Sequence, residues 1–130
     1  MIVGIGTDLV EIARIELALD RHGDRFARKI LVEREYGRFA AHRKPAAYLA
    51  KRFAAKEAFS KAMGTGIRSP VNWQNIGVVN DPSGRPYLEL SEALTELLRR
   101  RGIRDVHVSL TDERGMAAAF VILEGRPGGG

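Results

Sequence analysis

Residues 104–123 read RDVHVSLTDERGMAAAFVIL, and this stretch decides the fold class. Val106, Val108 and Leu110 alternate with His107, Ser109 and Thr111, the period-two pattern of a strand with one apolar and one polar face. Thr111-Asp112-Glu113-Arg114-Gly115 turns the chain back into Met116 to Leu123, a second strand that is apolar on both faces. Strands joined by so short a turn pair antiparallel. A doubly apolar strand in so small a chain points to cover on both sides, with a neighbouring subunit as one source of it.

Upstream of that hairpin, Ser91 caps a helix running to Arg101, with Leu94, Leu97 and Leu98 as its apolar stripe. Ile76 to Val79 and Arg85 to Leu90 read as strands around the turn Asn80-Asp81-Pro82-Ser83-Gly84. Pro45 opens a helix through an alanine-rich stretch to Met63, the longest in the chain, and Gly64 with Gly66 stops it. Asp24 to Leu31 and Glu33 to Ala41 read as two short helices with basic outer faces. Before them, Ile12, Ile15 and Leu19 recur at helical intervals until His22-Gly23. Met1 to Thr7 reads as a buried strand ending at Asp8, where Asp8 and Glu11 have the spacing of a capping box. This order gives an α+β domain: a mainly antiparallel sheet packed with helices, one of them long and central. The expected domain is 1–124, and the Gly/Pro-rich residues 125–130 are expected to be a flexible tail.

With 130 residues and no cysteine, the chain is expected to fold as one domain without disulfides, thiolate metal sites or thiol chemistry. The apolar run 116–123 is far short of the roughly 20 residues a membrane helix needs, and no basic segment leads into an apolar one at the start. The expectation is a cytoplasmic protein with no membrane partner. Of the net charge of +5, residues 14–52 hold a local +6 from 11 basic and 5 acidic side chains. The basicity therefore belongs to one segment, which nucleic acid, a nucleotide or an acidic protein could answer. A nucleic-acid binder would expect stacking aromatics grouped on a strand; the chain is 7% aromatic, and these residues are not grouped so.

Gly4-Ile5-Gly6-Thr7-Asp8 lacks the third glycine of a dinucleotide fingerprint, and Asp8 stands where the helix would begin, so that reading fails. What remains is a carboxylate at a strand end beside positions without side chains, with room for a ligand or another backbone; a plain helix cap is the competing reading. On the long helix, Glu57 and Lys61 lie at i and i+4, on one face with Ala50 and Ala54. A surface ion pair explains them as well as a cleft wall does. Two carboxylates suit a hard divalent cation such as magnesium, with Lys61 left to bind a phosphate. The amides near Gly64-Thr65-Gly66 could add an anion nest, or merely cap the helix. Three histidines without HExxH spacing speak against a zinc hydrolase.

Three blocks, Gly4 to Ile12, Arg52 to Gly66 and His107 to Asp112, are together similar to the bacterial holo-acyl-carrier-protein synthases, a 4′-phosphopantetheinyl transferase family, in an order spanning nearly the whole chain. Some members have a histidine where Thr111 stands, and any role of that histidine is not carried over. The resemblance implies transfer of the phosphopantetheine arm of coenzyme A to a serine of apo acyl carrier protein, releasing adenosine 3′,5′-bisphosphate, in support of fatty acid biosynthesis. It implies magnesium held by Asp8 and Glu57, Lys61 beside the transferred phosphate, and a homotrimer with coenzyme A in clefts between subunits. The base is then Glu57, or a water on the metal that Glu57 orients. Arg52, Ser60, Lys61, Gly64, Gly66, Pro86 and His107 become coenzyme A contacts. Arg14, Arg21, Arg25 and Arg28 become the docking surface for an acidic carrier protein. A small basic nucleic-acid-binding protein is the alternative.

Overall fold

The computed structural model describes residues 1–126. Three strands, β1 (Ile2–Glu11), β4 (Ile103–Glu113) and β5 (Met116–Gly125), form an antiparallel sheet in the order β1-β5-β4. A second antiparallel pair joins β2 (Ile76–Asn80) to β3 (Pro86–Leu90). The helices are α1 (Ile12–His22), α2 (Asp24–Ile30), α3 (Glu33–Ala41), α4 (Pro45–Met63) and α5 (Glu92–Arg100), with a 3₁₀ turn at Trp73–Asn75. The α+β class and antiparallel pairing expected from the sequence are both present.

The 19-residue α4 packs across the sheet against β1 and β5 and is buried on most sides, as a helix without a continuous polar face must be. Pro45 occupies its first turn, and Gly64, in the left-handed region at φ 77°, ends it. Ala117, Ala119, Val121 and Leu123 of β5 meet α4, with Val106, Val108 and Leu110 of β4 on the same side. A second cluster, built on Ile15, Ile30, Leu31 and Leu49, seats α1 and α2 against the first half of α4.

Close approach of α4 to β1 depends on Gly4 and Gly6. A side chain at Gly6 would collide with the Ala58 carbonyl and lie 2.6 Å from the Ala62 nitrogen; one at Gly4 would strike the Ala62 carbonyl. Of the two occupants expected beside these glycines, it is another backbone that fills the space. Ala50 and Ala54 are likewise fully buried and leave no open cleft wall.

The sequence reading ended β1 at Asp8 with a helix cap; the strand instead runs to Glu11. Asp8 pairs with Ala119 and Glu11 with Met116, so ladder bonds outcompete the cap. The first amide of α1 is satisfied instead by the Gly115 carbonyl at 2.8 Å. At the other end Gly125 belongs to β5, its N–H donating to the Met1 carbonyl at 2.7 Å, so the ordered region passes the expected boundary at 124. The rest of the expected tail, 127–130, lies outside the described residues.

Among the described residues, none covers the far face of the three-stranded sheet. Ile5, Leu9 and Phe120 are 56%, 65% and 44% exposed there, beside Ala118 and Ile122 and the polar His107, Ser109 and Thr111. Half of the doubly apolar pattern of β5 is thus accounted for by α4, and half is open.

Candidate active site

Alternation along β1 puts Asp8 on the same side as Gly4 and Gly6, toward α4. Lys61, in the last turn of α4, donates to Asp8 Oδ1 at 2.9 Å and to the Thr7 carbonyl at 3.2 Å. Asp8 is largely covered, its side chain 14% exposed, whereas that of Lys61 is 52% exposed. Glu57 lies one turn before Lys61 and is half-buried. Burial pushes its carboxyl above the ordinary value, the negative charge of Asp8 pushes it the same way, and Lys61 pulls it down. Asp8, Glu57 and Lys61 therefore act on one another electrostatically, and the glycine seam is what lets strand and helix come near enough.

The two carboxylates carry one more negative charge than Lys61 neutralises, and their oxygens are hard donors, so a divalent cation fits the set. Among the described residues there is no cluster of three or more His, Cys, Asp or Glu, so such a cation would complete its shell from water and substrate oxygens.

Ser60 does not reach this site. It is buried, and its hydroxyl donates to the Glu57 carbonyl at 2.7 Å, a back-bond within the helix. The amides of Gly64, Thr65 and Gly66 are not free for an anion: Gly64 bonds the Lys61 carbonyl at 3.0 Å, and Thr65 and Gly66 bond the Ser60 carbonyl at 3.2 and 3.3 Å. The glycines make a helix cap rather than a nest.

Arg52 lies on a different flank of α4. Its guanidinium stacks over Tyr48 at 4.0 Å and donates to Asn80 Oδ1 at 3.3 Å. With Arg38, His42, Lys51 and Pro86 these residues line a basic groove of about 560 Å³. Tyr48 Oη and Arg52 Nε are buried without a hydrogen-bond partner among the described residues, a state that invites an acceptor. Pro86 also borders a smaller hollow with Asp81, Arg85 and His107, where His107 Nε2 lies 3.0 Å from Glu124 Oε1. Tyr48, Arg38 and Lys51 escaped the sequence reading; only the i, i+4 spacing of Tyr48 and Arg52 hinted that they meet.

Arg14 and Arg21 stand exposed on α1, while Arg25 and Arg28 border a groove on α2 with His22, Phe26 and Lys29. Arg28 is tied to Asp24 at 2.7 Å and stacks on Tyr36, whose hydroxyl also donates to Asp24. Among the described residues Arg14, Arg21 and Arg25 form no ion pair.

An α+β fold with an acid pair and a lysine between strand and helix, and a basic groove nearby, defines a candidate transferase of phosphate-bearing groups. The family profile described as the 4′-phosphopantetheinyl transferase superfamily matches residues 4–121, and the chain belongs to that family. It is 53% identical over 124 residues to the holo-[acyl-carrier-protein] synthase of Nitrosomonas europaea, covering 95% of this chain and 99% of that one. The crystal structure of the Neisseria meningitidis holo-[acyl-carrier-protein] synthase superposes with a TM-score of 0.92 at 47% identity, covering 95% of this chain and 99% of that one. The Bacillus anthracis synthase, solved in complex with CoA (3′,5′-ADP), gives a TM-score of 0.82 at 39% identity, covering 97% and 99%.

Proposed function

We propose that the chain transfers the 4′-phosphopantetheine group of coenzyme A to a serine of apo acyl carrier protein, giving the holo carrier and adenosine 3′,5′-bisphosphate. The observation that carries this reading is the convergence of Asp8, Glu57 and Lys61 where β1 meets α4. Asp8 and Glu57 would hold a magnesium ion, which supplies neutralisation of the pyrophosphate when bound.

The serine oxygen attacks the phosphorus that bears pantetheine, and the bond from that phosphorus to the bridging oxygen of the adenosine bisphosphate breaks. Glu57, directly or through a water that it orients, would take the serine proton. Lys61, already anchored on Asp8 and the Thr7 carbonyl, would offer its third proton to a phosphate oxygen as negative charge moves to the leaving group.

Arg52, Tyr48, Asn80 and Pro86 would take the adenosine bisphosphate end, with Arg52 Nε and Tyr48 Oη as donors that lack partners among the described residues. His107 would act from the adjoining hollow. These residues and the acid pair lie on different flanks of α4, facing β2 and β1 respectively. A coenzyme A touching both kinds of site would therefore lie between two copies, in keeping with a homotrimer closed over Ile5, Leu9 and Phe120. The exposed arginines Arg14, Arg21, Arg25 and Arg28 would dock the acidic carrier protein in the cytoplasm. No helix is long and apolar enough to cross a membrane among the described residues.

Incubating apo carrier protein with this protein, coenzyme A and magnesium should add one phosphopantetheine by mass spectrometry, and omitting the metal should abolish the gain. An unmodified carrier with metal present would overturn the reading.

A further inference from the structure

Besides the acid pair, α4 holds a second ionic group that the transfer chemistry does not use. Lys56 and Glu35 are 0% and 1% exposed, with Lys56 Nζ 2.7 Å from Glu35 Oε1. An ion pair so deep is retained at a cost unless every proton and lone pair is engaged. Here they are engaged at segment ends. Lys56 Nζ also donates to the Ile30 carbonyl at 2.6 Å and the Trp73 carbonyl at 3.1 Å. Glu35 Oε1 accepts from the Val32 N–H at 2.9 Å, and Oε2 from the Val78 N–H at 2.7 Å. The ammonium thus sits at the C-terminal, negative end of α2, and the carboxylate in the first turn of α3, its positive end. Gln74 completes the arrangement from the 3₁₀ turn. Its side-chain amide donates to the carbonyls of Arg28, Lys29 and Leu31 at 3.0, 3.2 and 2.9 Å. Every carbonyl from Arg28 to Leu31 is therefore held by a side chain rooted outside α2.

We infer that Lys56, Glu35 and Gln74 are positioning residues: they lock α2, which carries Arg25 and Arg28, onto α4 one residue from Glu57, so that a docked carrier presents its serine in register with the acid pair. The carrier clause rests on the transferase reading above. The glycine seam fixes Glu57 and Lys61 against β1 independently of this lock. Loosening it should therefore disturb carrier recognition and leave coenzyme A binding and the bond-making step nearly intact.

The test uses two variants. Gln74→Ala removes exposed donors without stranding a buried charge, and Lys56→Gln combined with Glu35→Gln makes the pair neutral while keeping polar groups in place. Each should raise the KM for apo carrier protein at least fivefold, with kcat and the KM for coenzyme A within twofold of the unchanged protein. Hydrogen exchange of α2 amides should quicken at least tenfold relative to those of α4. A lower melting temperature with an unchanged carrier KM, or unchanged α2 exchange in Gln74→Ala, would overturn the inference and leave these residues purely structural. Absence of transfer by the unchanged protein would strike the transferase reading alone, because exchange would still decide whether the three residues fix α2.

Discussion

Glu57 experiences opposing influences whose sum can be measured. Burial and Asp8 raise its carboxyl and Lys61 offsets part of that. A carboxyl raised on folding stabilises the native state below the ordinary carboxylate range and loses that contribution as pH climbs through the raised value. In metal-free protein at neutral pH, ionised Glu57 is therefore a burden. Glu57→Gln should raise the metal-free melting temperature by about 1–3 °C at pH 7, with the gain vanishing near pH 4, and should cut transfer at least a hundredfold. Thermal unfolding at the two pH values with excess chelator, set beside the transfer assay, checks both halves. An unchanged melting temperature would mean that Lys61 offsets the whole of the burden that burial and Asp8 place on Glu57. The residue types of this site were legible in the sequence, but its geometry was not. Asp8 and Glu11 imitate a cap because short-range spacing cannot register that β5 offers ladder partners more than a hundred residues away. Ser60 entered with the resemblance as a coenzyme A contact, yet its angular position on α4 turns it into the protein. Tyr48, Arg38 and Lys51 carried no chemical signature in the sequence, whereas Arg52 entered with the resemblance; the groove they share is made by the fold.

At the level of elements, two glycines separate what packing demands from what a helix merely tolerates. Gly6 is pressed against the α4 backbone, and a methyl group there must drive strand and helix apart. Gly6→Ala should cost about 3 kcal/mol, a fall of roughly 10 °C, and should also weaken transfer because Lys61 and Glu57 retreat from Asp8. Gly37, within α3, has nothing near its missing side chain. Gly37→Ala should raise stability by about 0.5–1 kcal/mol through helix propensity alone. Denaturant unfolding of both variants tests the contrast; equal effects would show that α4 does not depend on close approach to β1. The elements themselves were readable wherever local signals agreed, as at Pro45, Gly64 and Ser91, whose cap bond to Leu94 N–H is present at 3.3 Å. The end of β1 was misread because a long-range ladder overrode a local cap, and the same ladder pairing carries β4 to Glu113, through residues whose polarity reads as a turn.

Across the whole molecule, charge and apolar surface are segregated. The exposed arginines Arg14, Arg21 and Arg25 stand on α1 and α2, whereas the apolar patch lies on the sheet face away from α4, so two kinds of association should respond to salt in opposite ways. The KM for an acidic carrier should rise several-fold between 50 and 300 mM salt, and Arg14→Glu with Arg25→Glu should remove most of that dependence. Contact through Ile5, Leu9 and Phe120 is apolar and should hold or tighten as salt rises. These three lie side by side because Leu9 faces Ala118, Thr7 faces Phe120 and Ile5 faces Ile122 in the β1–β5 ladder, placing all of them on the face away from α4. Phe120→Glu puts a charge in that patch without touching the core, where α4 already covers Ala119 and Val121. The monomer should therefore stay folded, with its melting temperature little altered at low concentration, while light scattering shows single chains in place of the proposed trimer. If coenzyme A spans the acid pair of one copy and the Arg52 groove of another, transfer must collapse with the assembly, at least tenfold, and recover with rising protein concentration as residual trimer returns. A monomer that keeps full turnover would show that one chain binds the whole of coenzyme A, and that the two flanks of α4 serve separate ends of chemistry rather than one shared cleft.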